Sequence, residues 1–173
     1  SIHLASFGLH TTLGRGIDAN VAALERPPQP PREVSVPLGN DARSIPYYTL
    51  ADAPLDDIEA RFEQALHGVI VEAIERAGLS QTERREMGLF LGSSCGDMPL
   101  LETQYRRDLE SSSEALPMTK TSSLGNLANR LRAAFGIQGP DYSYYTACTA
   151  SANALLAAAA MVQAGRLRHA LVV

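Results

Sequence analysis

Apolar residues recur at helical spacing over one long stretch in the first half of the chain. Across residues 58–77 they return at every third or fourth position, with Asp56 and Asp57 before them and Gly78 after them. Acidic side chains stabilise the positive end of a helix, and glycine readily adopts the left-handed conformation that ends one. The pattern therefore predicts an amphipathic helix that begins at Asp56 and ends at Gly78.

Strands alternate with helices along the second half of the chain. Each predicted strand is a short apolar or aromatic run bounded by glycine or proline, and each predicted helix shows spacing of three or four. Because alternating strands and helices favour parallel pairing, we expect a parallel sheet covered by helices on both faces. The predicted strands are residues 87–92, 142–146 and a last one beginning near 169; the predicted helices are 99–111 and 122–135, and a loop of small residues lies at 93–97.

The beginning of the chain is less regular. Residues 2–9 form a short apolar run typical of a strand, and a helix follows a loop, with Asp18 as its candidate N-cap. Five of the ten prolines lie between residues 27 and 37, which predicts an extended surface connection. A short strand is expected after it at residues 45–50.

Residues 147–164 stand out because they contain nine alanines and no charged side chain. A helix that is apolar on every side is expected to be buried. Gly165 follows this stretch and is predicted to end the helix.

Composition narrows the possible functions. With 173 residues, 45% hydrophobic and 20% charged, the chain is expected to fold as one compact domain and is neither disordered nor membrane-spanning. A net charge of -4 argues against a nucleic-acid surface. Cys95 and Cys148 lack metal-ligand spacing, and no signal peptide is recognisable, so we expect free thiols and a cytoplasmic location.

Cys148 is the residue best placed for chemistry. It lies where the predicted strand 142–146 turns into the alanine-rich helix, so its sulfur is expected beside the unpaired N–H groups that favour a thiolate. Its own N–H could donate to a developing oxyanion, and small neighbours such as Thr149 and Ala150 leave room for an acyl substrate. Free cysteines also serve as small buried apolar residues, so position alone leaves both interpretations open.

Residues 145–151 (YTACTAS) resemble the nucleophile motif of the β-ketoacyl synthases, the condensing enzymes of the thiolase superfamily. Four further segments resemble that family in the same order: residues 88–94, a helix at 126–135, a Gly-Pro turn at 136–140 and the end of a helix at 163–166. Together they cover the N-terminal half of such an enzyme. The resemblance implies an α/β, thiolase-like fold with α-β-α-β-α layers, in which residues 1–173 form the N-terminal domain with a mixed, mostly parallel sheet.

The resemblance also implies a reaction, that of a 3-oxoacyl-[acyl-carrier-protein] synthase. Cys148 would be acylated and then take part in decarboxylative Claisen condensation with malonyl-carrier protein, in fatty acid, polyketide or polyene biosynthesis. Acyl carrier protein and a homodimeric or ketosynthase heterodimeric partner are implied; an organic cofactor or a metal is not. Met118 matches the position from which family dimers send an apolar side chain into the partner's acyl pocket, although a core or loop role for Met118 stays equally open.

Other parts of the family's active site have no match in this sequence. The resemblance places two catalytic histidines, a lysine and one oxyanion donor in the C-terminal half of such enzymes. His3, His10, His67 and His169 match none of these positions, and Cys95 matches no role. The chain opens without a methionine and stops in an unfinished strand pattern, so we expect a truncated chain that is inactive by itself.

Two other functions remain open on the sequence. The chain could be a non-catalytic partner resembling a chain-length factor, but such subunits usually lack the nucleophilic cysteine, and Cys148 argues against this. It could also be a thiolase-fold enzyme that uses coenzyme A, although the cysteine motifs of those enzymes usually differ. Ala150 and Ser151 stand where many condensing enzymes have Ser-Gly, so the subclass stays undetermined.

Overall fold

The structure is a computed structural model, and it describes residues 1–38, 41–50, 58–95, 98–111 and 126–173. Composition favours one compact unit, whereas residue contacts divide the chain into two. The first unit comprises Ala5–Ala77, and the second comprises Ser1–Leu4 with Gly78–Val173. None of the helices in the described ranges combines the length and the apolarity needed to cross a membrane.

In its described residues, the unit Ala5–Ala77 contains two small antiparallel strand pairs and two helices. The helix predicted from residue 56 is confirmed as α2, whose described part starts at Ile58, and Gly78 follows it with φ of 63°. Asp56 and Asp57 lie outside the described residues. The elements are β1 (His10–Thr11), β2 (Gly14–Arg15), α1 (Ile17–Leu24), β3 (Arg32–Leu38), β4 (Asp41–Tyr47) and α2 (Ile58–Ala77).

The strand predicted at residues 2–9 is wrong: these residues form no strand, and residues 6–9 lie against α2 instead. The Ser6 hydroxyl donates to the Ala73 carbonyl oxygen at 2.6 Å, and the Leu9 N–H donates to the Glu72 carboxylate at 3.2 Å. Gly8 passes so close that a Cβ there would stand 2.0 Å from the Val69 carbonyl oxygen. Ile2, Leu4 and Phe7 stay exposed, so polar and backbone contacts hold this segment to the helix, and its apolar pattern does not mark a strand.

Helix α1 begins at Ile17, so the prediction that Asp18 is the N-cap is also wrong. Gly16 occupies that position with φ of 83°, a conformation that glycine adopts at little cost, and this starts the helix earlier. Asp18 lies in the first turn instead. The buried Asn20 amide fixes the junction by donating to the carbonyl oxygens of Gly14 at 2.9 Å and Gly16 at 2.7 Å.

The proline-rich connection is only partly irregular. Its second half is β3, which pairs antiparallel with β4, and Val34 lies opposite Ile45. The strand predicted at residues 45–50 therefore begins at Asp41 and ends at Tyr47. All of β4 is exposed, and Pro46 is tolerated there because a two-stranded ribbon leaves one edge of each strand unpaired.

The second unit contains a three-stranded sheet with the order β6-β5-β7, in which both pairings are parallel. This confirms the predicted parallel sheet, although β6 begins at Asp141 and ends at Tyr144 rather than at residue 146. Residues 122–125, where a helix was predicted to start, lie outside the described residues. The elements are α3 (Gln81–Glu86), β5 (Gly88–Gly92), α4 (Met98–Ser111), α5 (Asn126–Phe135), β6 (Asp141–Tyr144), α6 (Ala150–Gln163) and β7 (Ala170–Val172).

The central strand β5 is buried on both faces. Leu89 and Leu91 are 0% and 2% exposed, and because strand side chains alternate, they lie on the face opposite Phe90. Phe90 is also fully buried and forms a core cluster with Ala154 and Ala158 of α6. Burial of a side chain of this size stabilises the fold by about 1.5–3 kcal/mol.

The expectation that the alanine-rich helix is buried on every side is wrong for α6 in the described chain. Its buried residues are Ala150, Ala154 and Ala158, whose spacing of four places them on one face. Leu155 and Leu156 are 55% and 68% exposed. Methyl side chains let this face approach the sheet closely, whereas the two leucines project away from it.

Candidate functional site

Both cysteines follow the carboxyl ends of neighbouring parallel strands, so they lie at the same end of the sheet, its carboxyl end. Cys95 comes after β5, and Cys148 comes after β6. Both are exposed free thiols. The strands stay joined beyond their ends, because the Ser93 N–H donates to the Tyr144 carbonyl oxygen at 3.1 Å. This carboxyl end of the sheet is the candidate site.

Cys148 is the middle residue of a single 3-10 turn, Ala147–Thr149, that links β6 to α6. The Thr149 N–H donates to the Thr146 carbonyl oxygen at 3.2 Å, and the Ala150 N–H donates to that of Ala147. The Cys148 N–H makes no such bond with any described residue. The predicted strand-to-helix position is thus found, with the helix proper starting two residues later at Ala150.

Ala147, directly before the cysteine, has a strained backbone. Its φ of 50° lies in the left-handed region, and within the described ranges Ala147 is the one non-glycine residue with a positive φ. For an L-residue this conformation costs about 1–2 kcal/mol, so surrounding contacts must hold it. The Thr149 hydroxyl supplies one of them by donating to the Thr146 carbonyl oxygen at 2.8 Å. Alanine carries no sequence signal for this conformation, and sequence analysis missed it.

Asn153, on the second turn of α6, is a polar neighbour of this turn that sequence analysis also missed. Its amide N–H groups donate to the hydroxyl of Thr146 at 2.8 Å and more weakly to that of Thr149 at 3.4 Å. The available signal was an amide side chain inside an alanine-rich stretch without charge. Asn153 is half-buried, whereas Thr146 and Thr149 are exposed.

The residues predicted to contact an acyl group occupy different environments. Thr149 is exposed beside Cys148, and its hydroxyl is engaged in the turn. Ala150 is 1% exposed and packs against Gly92, so it lies between the turn and the sheet. Met118 lies outside the described residues. Substrate contact by these three residues stays a prediction.

His169 directly precedes β7, which is parallel to β5 and β6. It therefore lies at the amino end of the sheet, opposite the end where Cys148 lies. Its ring contacts the Glu83 carboxylate at 3.3 Å. Glu83 also accepts hydrogen bonds from the hydroxyl and N–H of Ser80 at 2.6 and 2.9 Å. These Ser80 bonds, with a smaller contribution from His169, lower the pKa of Glu83.

Two of the other histidines belong to the other unit. His10 and His67 belong to the unit Ala5–Ala77, and His3 contacts Ser1. Across the described ranges, no three His, Cys, Asp or Glu side chains gather in a way that could hold a metal ion.

The fold resembles that of a solved ketosynthase. The match is to a chain of the solved complex of the ketosynthase ApeO with its chain length factor ApeC, from Xenorhabdus doucetiae. The match has a TM-score of 0.71 and 17% sequence identity, and it covers 95% of this chain and 44% of the matched chain. The likeness shows a thiolase-like α/β fold, and this chain spans less than half the length of the matched chain. No curated protein sequence is a significant match.

The sequence itself supplies the assignment. Residues 48–173 match the family described as beta-ketoacyl synthase, N-terminal domain. This match extends over well more than half of the chain and includes the turn that carries Cys148. The chain therefore belongs to the β-ketoacyl synthase family.

Proposed function

We propose that Cys148 is the nucleophile of a 3-oxoacyl-[acyl-carrier-protein] synthase. The observation that carries this proposal is the exposed thiol in the β6–α6 turn, at the start of a helix and with its own N–H unbonded among the described residues. Helix N-terminal N–H groups stabilise negative charge, which favours a reactive thiolate. Family membership adds the reaction class, a condensing acyl transfer.

The first step of the proposed reaction is acyl transfer to the enzyme. The Cys148 sulfur attacks the carbonyl carbon of an acyl thioester, a new C–S bond forms, and the carrier thiol leaves with a proton. Negative charge develops on the carbonyl oxygen, and the Cys148 N–H is available to donate to it. Loss of one oxyanion donor typically costs about 100- to 1000-fold in rate, so this N–H matters to the mechanism.

The second step forms the carbon–carbon bond. A malonyl group on the carrier protein loses carbon dioxide, and the resulting enolate attacks the acyl carbon on Cys148. The C–S bond breaks, the cysteine is regenerated, and the 3-oxoacyl chain stays on the carrier. In our proposal the histidines and the second oxyanion donor for this step come from a C-terminal half, so residues 1–173 alone bind an acyl group without condensing it.

We further propose two protein partners. Acyl carrier protein delivers both substrates, and a second ketosynthase-fold subunit, identical or related, pairs with the outer strand β6. Supporting the latter, β6 pairs with β5 alone among the described strands, which leaves its other edge open to a partner. Sedimentation velocity tests this: a species that remains monomeric at high concentration argues against pairing at β6.

A non-catalytic role resembling that of a chain-length factor is not favoured. Such a subunit needs the fold but not a nucleophile, whereas here the thiol is exposed in a strained, hydrogen-bonded turn.

The deciding experiment measures covalent acylation. The full chain is incubated with an acylated carrier protein, and intact mass shows whether one acyl group is added. We expect acylation in the native protein and in Cys95→Ser, which removes the other exposed thiol, and none in Cys148→Ala. Equal acylation of Cys148→Ala and the native protein would overturn the assignment of the nucleophile.

A further inference from the structure

The hydrogen bonds around Asn153 join both sides of the turn that carries Cys148. Thr146 ends the connection from β6, and Thr149 is the N-cap residue of α6, so the strained Ala147 and Cys148 lie between them. Asn153 donates to both threonine hydroxyls, at 2.8 and 3.4 Å. The Asn153 side chain thus reinforces the bonds by which Thr149 already joins the two ends of this two-residue segment.

The hydrogen bonds between Asn153 and the two threonines have a fixed direction, from the amide to the hydroxyls. The Thr149 hydroxyl uses its proton on the Thr146 carbonyl oxygen at 2.8 Å, so towards Asn153 it acts as an acceptor. The Thr146 hydroxyl likewise accepts from the Asn153 amide. The amide therefore contributes its N–H donors, and a side chain without donors cannot replace it.

The choice of asparagine also runs against local helix preference. Asparagine is a poorer helix former than alanine, because its side chain competes for backbone hydrogen bonds. In a helix with this many alanines, an alanine at position 153 would favour helix formation more. Stability of α6 alone does not account for the amide, whereas the bonds to Thr146 and Thr149 do.

We propose that Asn153 is a positioning residue for Cys148. It acts through Thr146 and Thr149, holding Ala147 in its left-handed conformation and keeping the cysteine at the start of α6. This inference deepens the proposed function, since it assigns a determinant of the reactivity of the same thiol. Asn153 itself makes no contact with the reacting atoms in this scheme.

The test separates positioning from stability. In a Cys95→Ser background of the full chain, the rate of Cys148 alkylation by limiting iodoacetamide is measured by peptide mass mapping. Asn153→Ala is expected to slow alkylation about 3- to 10-fold, the range for loss of one or two net hydrogen bonds, while the melting temperature stays level or rises. Gln163→Ala, which removes an exposed amide from the last turn of the same helix, is the matched control and should leave the rate unchanged.

A double-mutant cycle identifies the route of the effect. Thr146→Val keeps the shape of the side chain and removes the acceptor. If Asn153 acts through Thr146, the double variant loses no more than the stronger single variant, whereas independent effects multiply. Asn153→Leu, of similar volume and without donors, serves as a second variant if Asn153→Ala lowers the melting temperature, and it should also slow alkylation.

The outcomes separate this proposal from the proposed function. Unchanged alkylation in both Asn153 variants, or multiplicative losses in the cycle, overturns the positioning role even if Cys148 is acylated. Alkylation that responds as expected while Cys148→Ala still accepts an acyl group supports positioning and overturns the proposed nucleophile instead.

Discussion

Gly92 lies directly against the first turn of α6: a Cβ on Gly92 would stand 2.6 Å from the carbonyl oxygen of Ala150 and 2.7 Å from the Cα of Ser151. Both of these contacts are backbone atoms, which cannot rotate away. The end of β5 therefore sets how closely the turn of Cys148 approaches the sheet. The glycine is required by this close approach, since its φ is not positive.

We expect Gly92→Ala to destabilise the protein and to disturb the site. Overpacking of this kind costs about 1–3 kcal/mol, so the free energy of unfolding in denaturant should fall by that amount. Gly136→Asn is the control, because Gly136 has φ of 65° and open space around it, and asparagine tolerates the left-handed conformation. A Gly92→Ala variant as stable as the native protein would show that α6 does not pack here as described.

Alkylation should distinguish the two exposed cysteines. α6 begins two residues after Cys148, whose turn is held by hydrogen bonds, and N–H groups at a helix start stabilise negative charge on sulfur. With a limiting dose of iodoacetamide we expect peptide mapping to find the label mainly on Cys148. Preferential labelling of Cys95, which precedes α4, would remove the reason for assigning special reactivity to the β6–α6 turn.

The sequence predicted the regular elements better than the site. Helix α2 and strand β5 follow from local patterns, a spacing of three to four and a short glycine-bounded apolar run, because each pattern directly reflects the geometry of its element. The positive φ of Ala147 and the bonds of Asn153, which reach only four and seven residues back along the chain, depend instead on the three-dimensional course of the β6–α6 turn. Alanine and asparagine occur in many conformations, so their identity alone could not reveal these roles.

The exposure of α6 is a second feature that the sequence pattern could not predict. Its composition predicted burial on every side, but burial depends on which neighbours each face meets. The alanine stripe meets Phe90, whereas Leu155 and Leu156 remain exposed in the described chain. A hydrophobic pattern indicates which faces can be buried and does not specify which one the sheet will cover.

Two alanines on α6 provide a matched test of this packing. Ala154 is 0% exposed and lies in the cluster with Phe90, whereas Ala160 is exposed on the same helix. Ala154→Leu adds atoms to a filled space and should lower the free energy of unfolding by about 1–3 kcal/mol. Ala160→Leu should change it by less than about 0.5 kcal/mol, as surface substitutions usually do. Equal effects of the two substitutions in denaturant unfolding would contradict the assigned face.

Ser80 and Glu83 form a capping box at the start of α3, in which each side chain accepts a bond from the backbone N–H of the other residue, and this box makes stability depend on pH. In the folded chain the Ser80 hydroxyl and N–H, aided by His169, hold the pKa of Glu83 below its ordinary value of 4.5. A group whose pKa is lower in the folded state binds protons more tightly when unfolded. It therefore stabilises the fold at pH above 4.5, and that contribution is lost as the pH falls through the lower, folded value. Acid should consequently weaken the start of α3 by protonating the carboxylate that accepts both Ser80 bonds.

Glu83→Gln removes this titration, so its melting temperature should fall less between neutral pH and pH values below 4.5 than that of the native protein. At neutral pH the variant should be slightly less stable, because a neutral amide accepts the Ser80 bonds more weakly than a carboxylate does. Glu86→Gln is the matched control on the same helix, and its melting temperature should follow that of the native protein across the range. The effect is expected to be small because Glu83 is partly exposed, so the difference between the two variants is the quantity to measure. If Glu83→Gln and Glu86→Gln lose stability in acid to the same extent, the capping box does not contribute to the acid response, and the Ser80 bonds have no role in it.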